Sequence, residues 1–270
     1  MVFMRNNPDL VNHYLRFCRL RSDYLSSKDL DVGRYNFYYP VTILPLINFI
    51  KEHSIKYVYH PNAGVNRYLS IITSSSPYRS GKTYVPIVEL PYARTKLDFT
   101  LKRIINLVSK YGGSDAFNYV IYELSENIYE HSNFRNAFLM AQRYSNFLEI
   151  CILDNGVTIP GNIMNNYPDM SKEEDYQAIY DAIEGLSTKK EEGRGYGLGS
   201  SVKLFTKGLE GKLFIVSRCG ACYIDKSKPT YYKLNSSHRW DGTLISMRVP
   251  LPPRNVDIYQ YIYPQSDKKL

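Results

Sequence analysis

Two oxygen-bearing side chains, Glu123 and Asn127, lie four residues apart in a segment with a helical pattern. Apolar residues recur at helical spacing through residues 114–131, so the pattern predicts a helix that presents Glu123, Asn127 and His131 on one face. A carboxylate and an amide oxygen in this arrangement can orient a water molecule and hold a hydrated Mg²⁺ ion. The alternative is an ordinary solvated helix face, because charged residues are mostly exposed.

A second candidate segment, Asp154-Asn155-Gly156, follows the apolar run 147–153. This run predicts a strand that is covered on both faces, and only Glu149 interrupts it. An Asp after such a strand can accept hydrogen bonds from a ligand, and a Gly lets a ligand approach the backbone closely. The same residues would also suit a plain turn after a buried strand.

A third candidate segment contains four alternating glycines, Gly193, Gly195, Gly197 and Gly199, before a helical pattern at residues 200–207. A glycine-rich loop that leads into a helix exposes backbone N–H groups to an anion such as a phosphate. It is not the dinucleotide-binding fingerprint, because a polar and acidic stretch precedes the glycines where that fingerprint needs a strand. The alternative is a flexible hinge.

In this order, the three segments resemble the ATP site of the GHKL superfamily, which includes gyrase, heat-shock chaperones, histidine kinases and MutL. The resemblance extends over residues 97–250. The run Glu-Leu-x-x-Asn-x-x-Glu-His-Ser is most similar to stand-alone histidine-kinase-like and anti-sigma-factor ATPases. The resemblance implies an α/β fold, a Bergerat-type two-layer sandwich in which helices cover a mixed, mainly antiparallel sheet. It also implies ATP and Mg²⁺ as cofactors.

The resemblance assigns a role to each segment. Glu123 would activate a water molecule, and Asn127 would bind Mg²⁺. Asp154 would accept a hydrogen bond from the adenine amino group, and Gly156 would let the base approach. The other nucleotide contacts that it implies are Gly193, Gly195, Gly197, Leu198 and Gly199 in the glycine-rich loop, and Thr243 before the apolar strand predicted at residues 244–249.

Two functions remain open from the sequence. As an enzyme, the protein would hydrolyse ATP or transfer its γ-phosphoryl group to a protein partner in signalling or regulation. As a non-hydrolysing switch, it would close a lid over the nucleotide and change a partner-binding surface. The presence of Glu123 favours the enzyme. A conventional autophosphorylating sensor kinase is not expected, because His13, His53 and His60 lie in short segments broken by prolines, not on a long helical hairpin.

The chain is expected to divide into three parts. Residues 1–92 would form a smaller N-terminal α/β unit for input or partner binding, residues 93–255 the ATPase domain, and residues 256–270 a C-terminal tail. Within the first part, the patterns predict a helix at 41–52, a strand at 55–59 and a helix or strand at 65–72, in a unit that ends in the Pro-flanked run 85–90.

Composition limits the partners and the compartment. The 270 residues carry a net charge of +8, which would suit an acidic protein or a nucleic acid, but no nucleic-acid-binding motif is present. A protein partner is therefore expected, with nucleic acid weakly supported and a homodimer left open. Four cysteines, with no apolar run that could span a membrane and no signal segment, predict a cytoplasmic protein. Cys219 and Cys222 could form a turn with two thiols, a strained disulfide or half of a metal site.

Overall fold

The computed structural model describes residues 8–56, 58–73, 83–109, 115–172, 174–186, 197–226 and 228–262. These residues form an α/β structure around one antiparallel sheet of seven strands with the spatial order β1-β2-β3-β7-β4-β5-β6. The strands are β1 (Tyr84–Glu89), β2 (Ala137–Arg143), β3 (Phe147–Asp154), β4 (Lys212–Arg218), β5 (Gly220–Ile224), β6 (Thr230–Lys233) and β7 (Trp240–Pro250). The helices are α1 (Asp9–Ser27), α2 (Pro40–Glu52), α3 (Ala63–Thr73), α4 (Leu97–Ser109), α5 (Asp115–His131), α6 (Ile159–Asn166), α7 (Asp175–Glu184), α8 (Gly197–Lys203) and α9 (Tyr259–Ile262).

Strand β3 lies inside the sheet, between β2 and β7, and its side chains alternate between two apolar clusters. Ile150 and Ile152 belong to one cluster, whereas Cys151 and Leu153 belong to the other. Because helices cover both faces, the strand needs apolar residues at nearly every position, which explains the continuous apolar run in the sequence. The predicted strand at residues 147–153 is confirmed and extends through Asp154.

One face of the sheet is covered by α4, α5, α7 and α8. Apolar side chains from these helices pack with the sheet in a single cluster. Helix α5 contributes the stripe Phe117, Val120, Ile121, Leu124 and Ile128, all buried, as its helical spacing predicts. The chain after β7 also reaches this cluster, because Val256, Ile258 and Tyr261 pack against it.

The opposite face is covered by α1, α2 and part of α3, so the described residues form three layers. Leu10, Phe17, Leu44 and Phe49 pack against sheet residues such as Phe214 in the second cluster. This differs from the predicted two-layer sandwich with a separate small N-terminal α/β unit. The reason is that both faces of β2, β3 and β7 are apolar and need a cover, and the N-terminal helices provide the second one.

The Pro-flanked run that starts at residue 85 also belongs to this common sheet. It is β1, the edge strand, which pairs with β2. The strand predicted at 55–59 is wrong, since none of the described residues 55, 56, 58 and 59 lies in a strand. The helix predicted at 41–52 is confirmed as α2, and the ambiguous segment at 65–72 is the helix α3.

A buried ion pair joins the N-terminal helices to the sheet. Glu149 of β3 is fully buried and accepts hydrogen bonds from Arg248 of β7, at 2.7 Å from Nη2 and 3.2 Å from Nε. Its other oxygen accepts from the backbone N–H of Val41 at 3.1 Å, in the first turn of α2. Glu149 therefore interrupts the apolar run because it satisfies a backbone donor that the N-terminus of α2 leaves free.

The two closely spaced cysteines lie in the β4–β5 hairpin and are both free thiols. Cys219 is in the turn, and its backbone N–H donates to the Asp175 carboxylate at 2.9 Å. Cys222 is fully buried in β5, where burial raises the pKa of its thiol to about 12. Of the three alternatives that the sequence left open, the structure shows the turn with two thiols. Within the described ranges, no group of three or more His, Cys, Asp or Glu residues is arranged to hold a metal ion.

Candidate functional site

A cavity of about 300 Å³ opens on the face of the sheet that α5, α7 and α8 cover. It lies between α5, the turn after β3, α6, the end of α7, the start of α8 and β7. Its walls are mainly apolar and contain a few polar groups. The polar lining residues are Asn127, His131, Ser132, Asp154, Thr158, Asn162 and Thr243, and Leu198 and Ile245 are among the apolar ones.

Helix α5 positions Asn127 and His131 on the cavity wall. Its apolar stripe faces the sheet, and Asn127 follows Leu124 by three residues, so it lies at the border between the buried face and the cavity. Glu123 is half-buried one turn earlier on the same helix and is not among the described residues that line the cavity. The predicted order of Glu123, Asn127 and His131 along one helix face is therefore present, with the last two at the cavity.

The end of β3 places Asp154 at the floor of the cavity. Asp154 is 2% exposed, and its Oδ1 accepts the backbone N–H of Gly156 at 2.8 Å. Burial raises the pKa of Asp154 from 3.8 to about 7, although the backbone N–H groups of Gly156 and Thr243 favour the charged form. The carboxyl group thus titrates near neutral pH and is well suited to accept a hydrogen bond from a ligand amino group.

The alternation of strand side chains explains why Asp154, Thr243 and Ser217 lie together. Asp154 pairs with Thr243 across β3 and β7, and Thr243 pairs with Ser217 across β7 and β4. All three side chains point to the same face as Ile152 and Ile245, because residues two apart along a strand share a face. The register of three neighbouring strands therefore gathers these polar groups at one end of the sheet.

Ser217 is a structural residue of this end of the sheet that the sequence reasoning did not identify. Its hydroxyl donates to the carbonyl of Gly242 at 2.8 Å and accepts the backbone N–H of Ile159 at 3.0 Å. It also lies 3.3 Å from the hydroxyl of Thr243. Ser217 thus fixes the start of α6 against β7. No motif marks it, since a single Ser at the end of a strand has no sequence signature.

Close backbone packing requires glycine at two of the predicted positions. A Cβ at Gly156 would overlap the carbonyl oxygen of Ser132, and a Cβ at Gly199 would overlap that of Ile183. The turn after β3 therefore rests directly on the end of α5, and the start of α8 rests on the end of α7. At both positions the glycine brings two walls of the cavity together, which is a packing role in addition to any contact with a ligand.

The structure brings many of the predicted site residues to one place. Asn127, Asp154, Leu198 and Thr243 line the cavity together with Gly197. Glu123, Gly156 and Gly199 lie beside it, on the same helix or turn as a lining residue. Gly193 and Gly195 lie outside the described residues. Of the other polar lining residues, Thr158 caps α6 by accepting the N–H of Gly161 at 2.9 Å, and Asn162 follows on α6.

The residues at the cavity fit a purine nucleotide and a hydrated divalent cation. An apolar slot with one buried acceptor is the usual environment for an aromatic base with an amino group. Asn127 offers an amide oxygen at the wall, and Mg²⁺ commonly takes only one or two protein oxygens because it keeps several waters and phosphate ligands.

Two comparisons with known proteins identified no relative of this chain. The chain matches no protein-family model, and a search of curated proteins gives no match either. In the described ranges, none of the helices combines the length and apolar character needed to cross a membrane.

Proposed function

We propose that this protein binds Mg-ATP in the cavity beside Asp154 and acts as an ATPase or ATP-dependent protein kinase of the histidine-kinase-like class. One observation carries the proposal: the buried carboxyl group of Asp154 lies at the floor of an apolar cavity lined also by Asn127, Leu198 and Thr243. These residues come from four separate segments of the chain. Their order along the sequence is also the order of the GHKL boxes, which supports the family resemblance as part of the proposal.

The adenine base would occupy the apolar part of the cavity. The carboxylate of Asp154 would accept a hydrogen bond from the exocyclic amino group, and the Thr243 hydroxyl beside it offers a second polar contact. Ile128, Ile163 and Ile245 would cover the ring faces. Burying the base against these side chains would supply most of the affinity, whereas Asp154 would select for an amino-substituted purine.

The phosphates would extend from the base toward Asn127 and the first turn of α8. Backbone N–H groups at Gly197 and Leu198 lie there, where a helix begins and its first N–H groups have no intrahelical partner. Asn127 would hold Mg²⁺ through its amide oxygen. The bound cation would neutralise charge on the phosphate oxygens. Glu123, one turn before Asn127, would take the proton from the attacking water or hydroxyl group.

A second candidate function is a nucleotide-gated switch that binds ATP without turnover. The observation that favours it is the position of Glu123, which is half-buried and does not line the cavity among the described residues. In such a protein, ATP would close the lid expected at residues 189–199, of which 189–196 lie outside the described residues, and change a surface for a partner protein. The differential affinity of the two conformations for ATP would drive the change.

Partner and location belong to the same proposal. A protein partner is the expected phosphoacceptor or regulated target, and the cytoplasm is the expected compartment, where ATP and Mg²⁺ are plentiful. A homodimer and a nucleic-acid partner also stay predictions.

Incubation of the purified protein with γ-labelled Mg-ATP tests the proposal. Released phosphate and label retained on protein are both followed, with Glu123→Ala and, as a control from the same helix, Glu130→Ala. Turnover that is lost only in Glu123→Ala would support an ATPase or kinase. Tight binding without turnover in the parent protein would support the switch. Absence of ATP binding would contradict both.

A further inference from the structure

A second and larger cavity, of about 880 Å³, lies behind the turn that carries Asp154. It opens between α1, α2, the segment before β2, the turn after β3 and the segment between β6 and β7. Asn155 and Gly156 of the turn line this second cavity, and Thr158 lines both cavities. The volume is in the range of small-molecule sites in proteins.

The floor of the second cavity contains a buried polar side chain without a partner. Asn48, in the middle of α2, is 1% exposed and lines the cavity. Its Oδ1 has no hydrogen-bond partner. A buried amide in this state destabilises the fold unless something else supplies the hydrogen bond. An occupant that carries an N–H or O–H group would provide it.

The walls of the second cavity carry arginines that outnumber their acidic neighbours. Arg21, Arg135 and Arg239 line it, together with Glu52 and Asp241. Both carboxylates already have partners: Asn155 donates to Glu52 at 3.1 Å, and Arg239 pairs with Asp241.

Two of these arginines retain free donor capacity. The Nε of Arg239 is buried without a hydrogen-bond partner. No ion pair or side-chain hydrogen bond joins Arg135 to any other residue in the part of the chain that the structure describes. Guanidinium groups match carboxylate and phosphate oxygens closely, so this wall is suited to an anion.

We propose that this second cavity binds a small organic oxyanion, independently of the nucleotide cavity. Its phosphate or carboxylate group would pair with Arg135 and Arg239, and its hydroxyl or N–H group would donate to Asn48. Because Asn48 lies at the buried floor, an occupant must enter the cavity to reach it. A flat macromolecular surface cannot do so, and this favours a small molecule.

The single tryptophan of the chain provides a direct assay, because Trp240 lines the second cavity and is 4% exposed. Tryptophan fluorescence of the full chain is titrated with ribose 5-phosphate and with citrate, and with ribose as the uncharged control. We expect a saturable change with at least one of the two anions. A response to ribose 5-phosphate alone would identify phosphate as the acid group, and a response to citrate alone would identify carboxylate. Each anion is titrated to about 10 mM, because a Kd above that concentration means negligible binding. The absence of a saturable change with both anions over this range would overturn the proposal.

Two matched variants locate the binding. Arg135→Gln should weaken the titration about tenfold or more, the usual effect of losing a hydrogen bond to a charged group. Arg67→Gln, at an exposed position away from both cavities, should leave it unchanged. Asn127→Ala should also leave it unchanged, so the outcome does not depend on ATP binding. Equal effects of Arg135→Gln and Arg67→Gln would overturn the assignment.

A stability measurement tests the role of Asn48 without any ligand. If its amide is kept for an occupant, Asn48→Leu should remove a buried unpaired group and raise the Tm of the ligand-free protein by about 2–4 °C. The same variant should no longer respond to the anions. A lower Tm would mean that the amide is needed by the fold itself, and the argument from its missing partner would then fail.

Discussion

The titration of Asp154 gives the sharpest test of the nucleotide cavity. Its carboxyl group is buried, and its pKa is raised from 3.8 to about 7. The native protein therefore holds this proton more tightly than the unfolded chain does. The free energy of unfolding should fall as the pH rises from about 4 to about 7 and stay low above that range. A shift of about three pH units corresponds to about 4 kcal/mol.

Binding of a purine amino group should oppose this preference of the folded protein for the protonated Asp154. The donor favours the carboxylate over the acid, so adenosine should bind the ionised form of Asp154 and release a proton. If only the ionised form binds, the apparent Kd at pH 6 is larger than at pH 8 by about tenfold, and about 0.9 proton is released for each adenosine at pH 6. Adenosine is the better probe here, because the phosphates of ATP titrate in the same range.

Calorimetry at pH 6 and pH 8, in two buffers of different ionisation enthalpy, measures both the affinity and the proton release. Asp154→Asn should bind adenosine more weakly and without pH dependence, and its unfolding free energy should not fall between pH 4 and pH 7. The comparison with this variant also removes any contribution from His131, which lines the same cavity. Equal pH dependence in the parent protein and in Asp154→Asn would refute the reasoning, as would proton uptake on binding.

Three further changes test the cation, the packing of α8 and the buried ion pair. Asn127→Ala should abolish Mg²⁺-dependent ATP binding in calorimetry, since it removes a cation ligand; an unchanged affinity would contradict this role. Gly199→Ala should lower the free energy of unfolding by about 1–3 kcal/mol in denaturant titrations, because the new Cβ meets the Ile183 carbonyl oxygen. Arg248→Met should lower the free energy of unfolding by about 3–5 kcal/mol, because it leaves Glu149 buried and unpaired. The double variant with Glu149→Leu and Arg248→Met should lower it by clearly less than the sum of the two single changes.

Periodicity in the sequence predicts the elements around the nucleotide cavity well. The apolar stripe predicts the helix α5 and the continuous apolar run predicts the strand β3, because each element must bury the residues that carry its pattern. The position of Asp154 follows directly, since it ends the run. Its neighbours Thr243 and Ser217 do not follow, because strand register depends on pairing between segments that are far apart in sequence.

The second helix layer could not be predicted from local patterns. Helix α2 itself is evident from its apolar residues, but the sequence does not say which surface it covers. That choice depends on the far face of the sheet and on the pairing of the Val41 N–H with Glu149. A lone Glu in an apolar strand was a signal for such a contact. Its partner on α2 lies more than a hundred residues earlier, and no spacing rule connects the two.

The second helix layer is also connected to the chemistry proposed for Asp154. The Trp240 indole Nε1 donates to the backbone carbonyl of Asp154 at 3.0 Å, and the Trp240 ring packs edge-on against Phe17 of α1, with ring centroids 5.9 Å apart. The Asp154 side chain faces α5, while its carbonyl group is held from the opposite side. Desolvation of the buried carboxyl group is the main cause of the raised pKa of Asp154. The N-terminal helices therefore help to position the turn that carries Asp154, through the contact between Phe17 and Trp240.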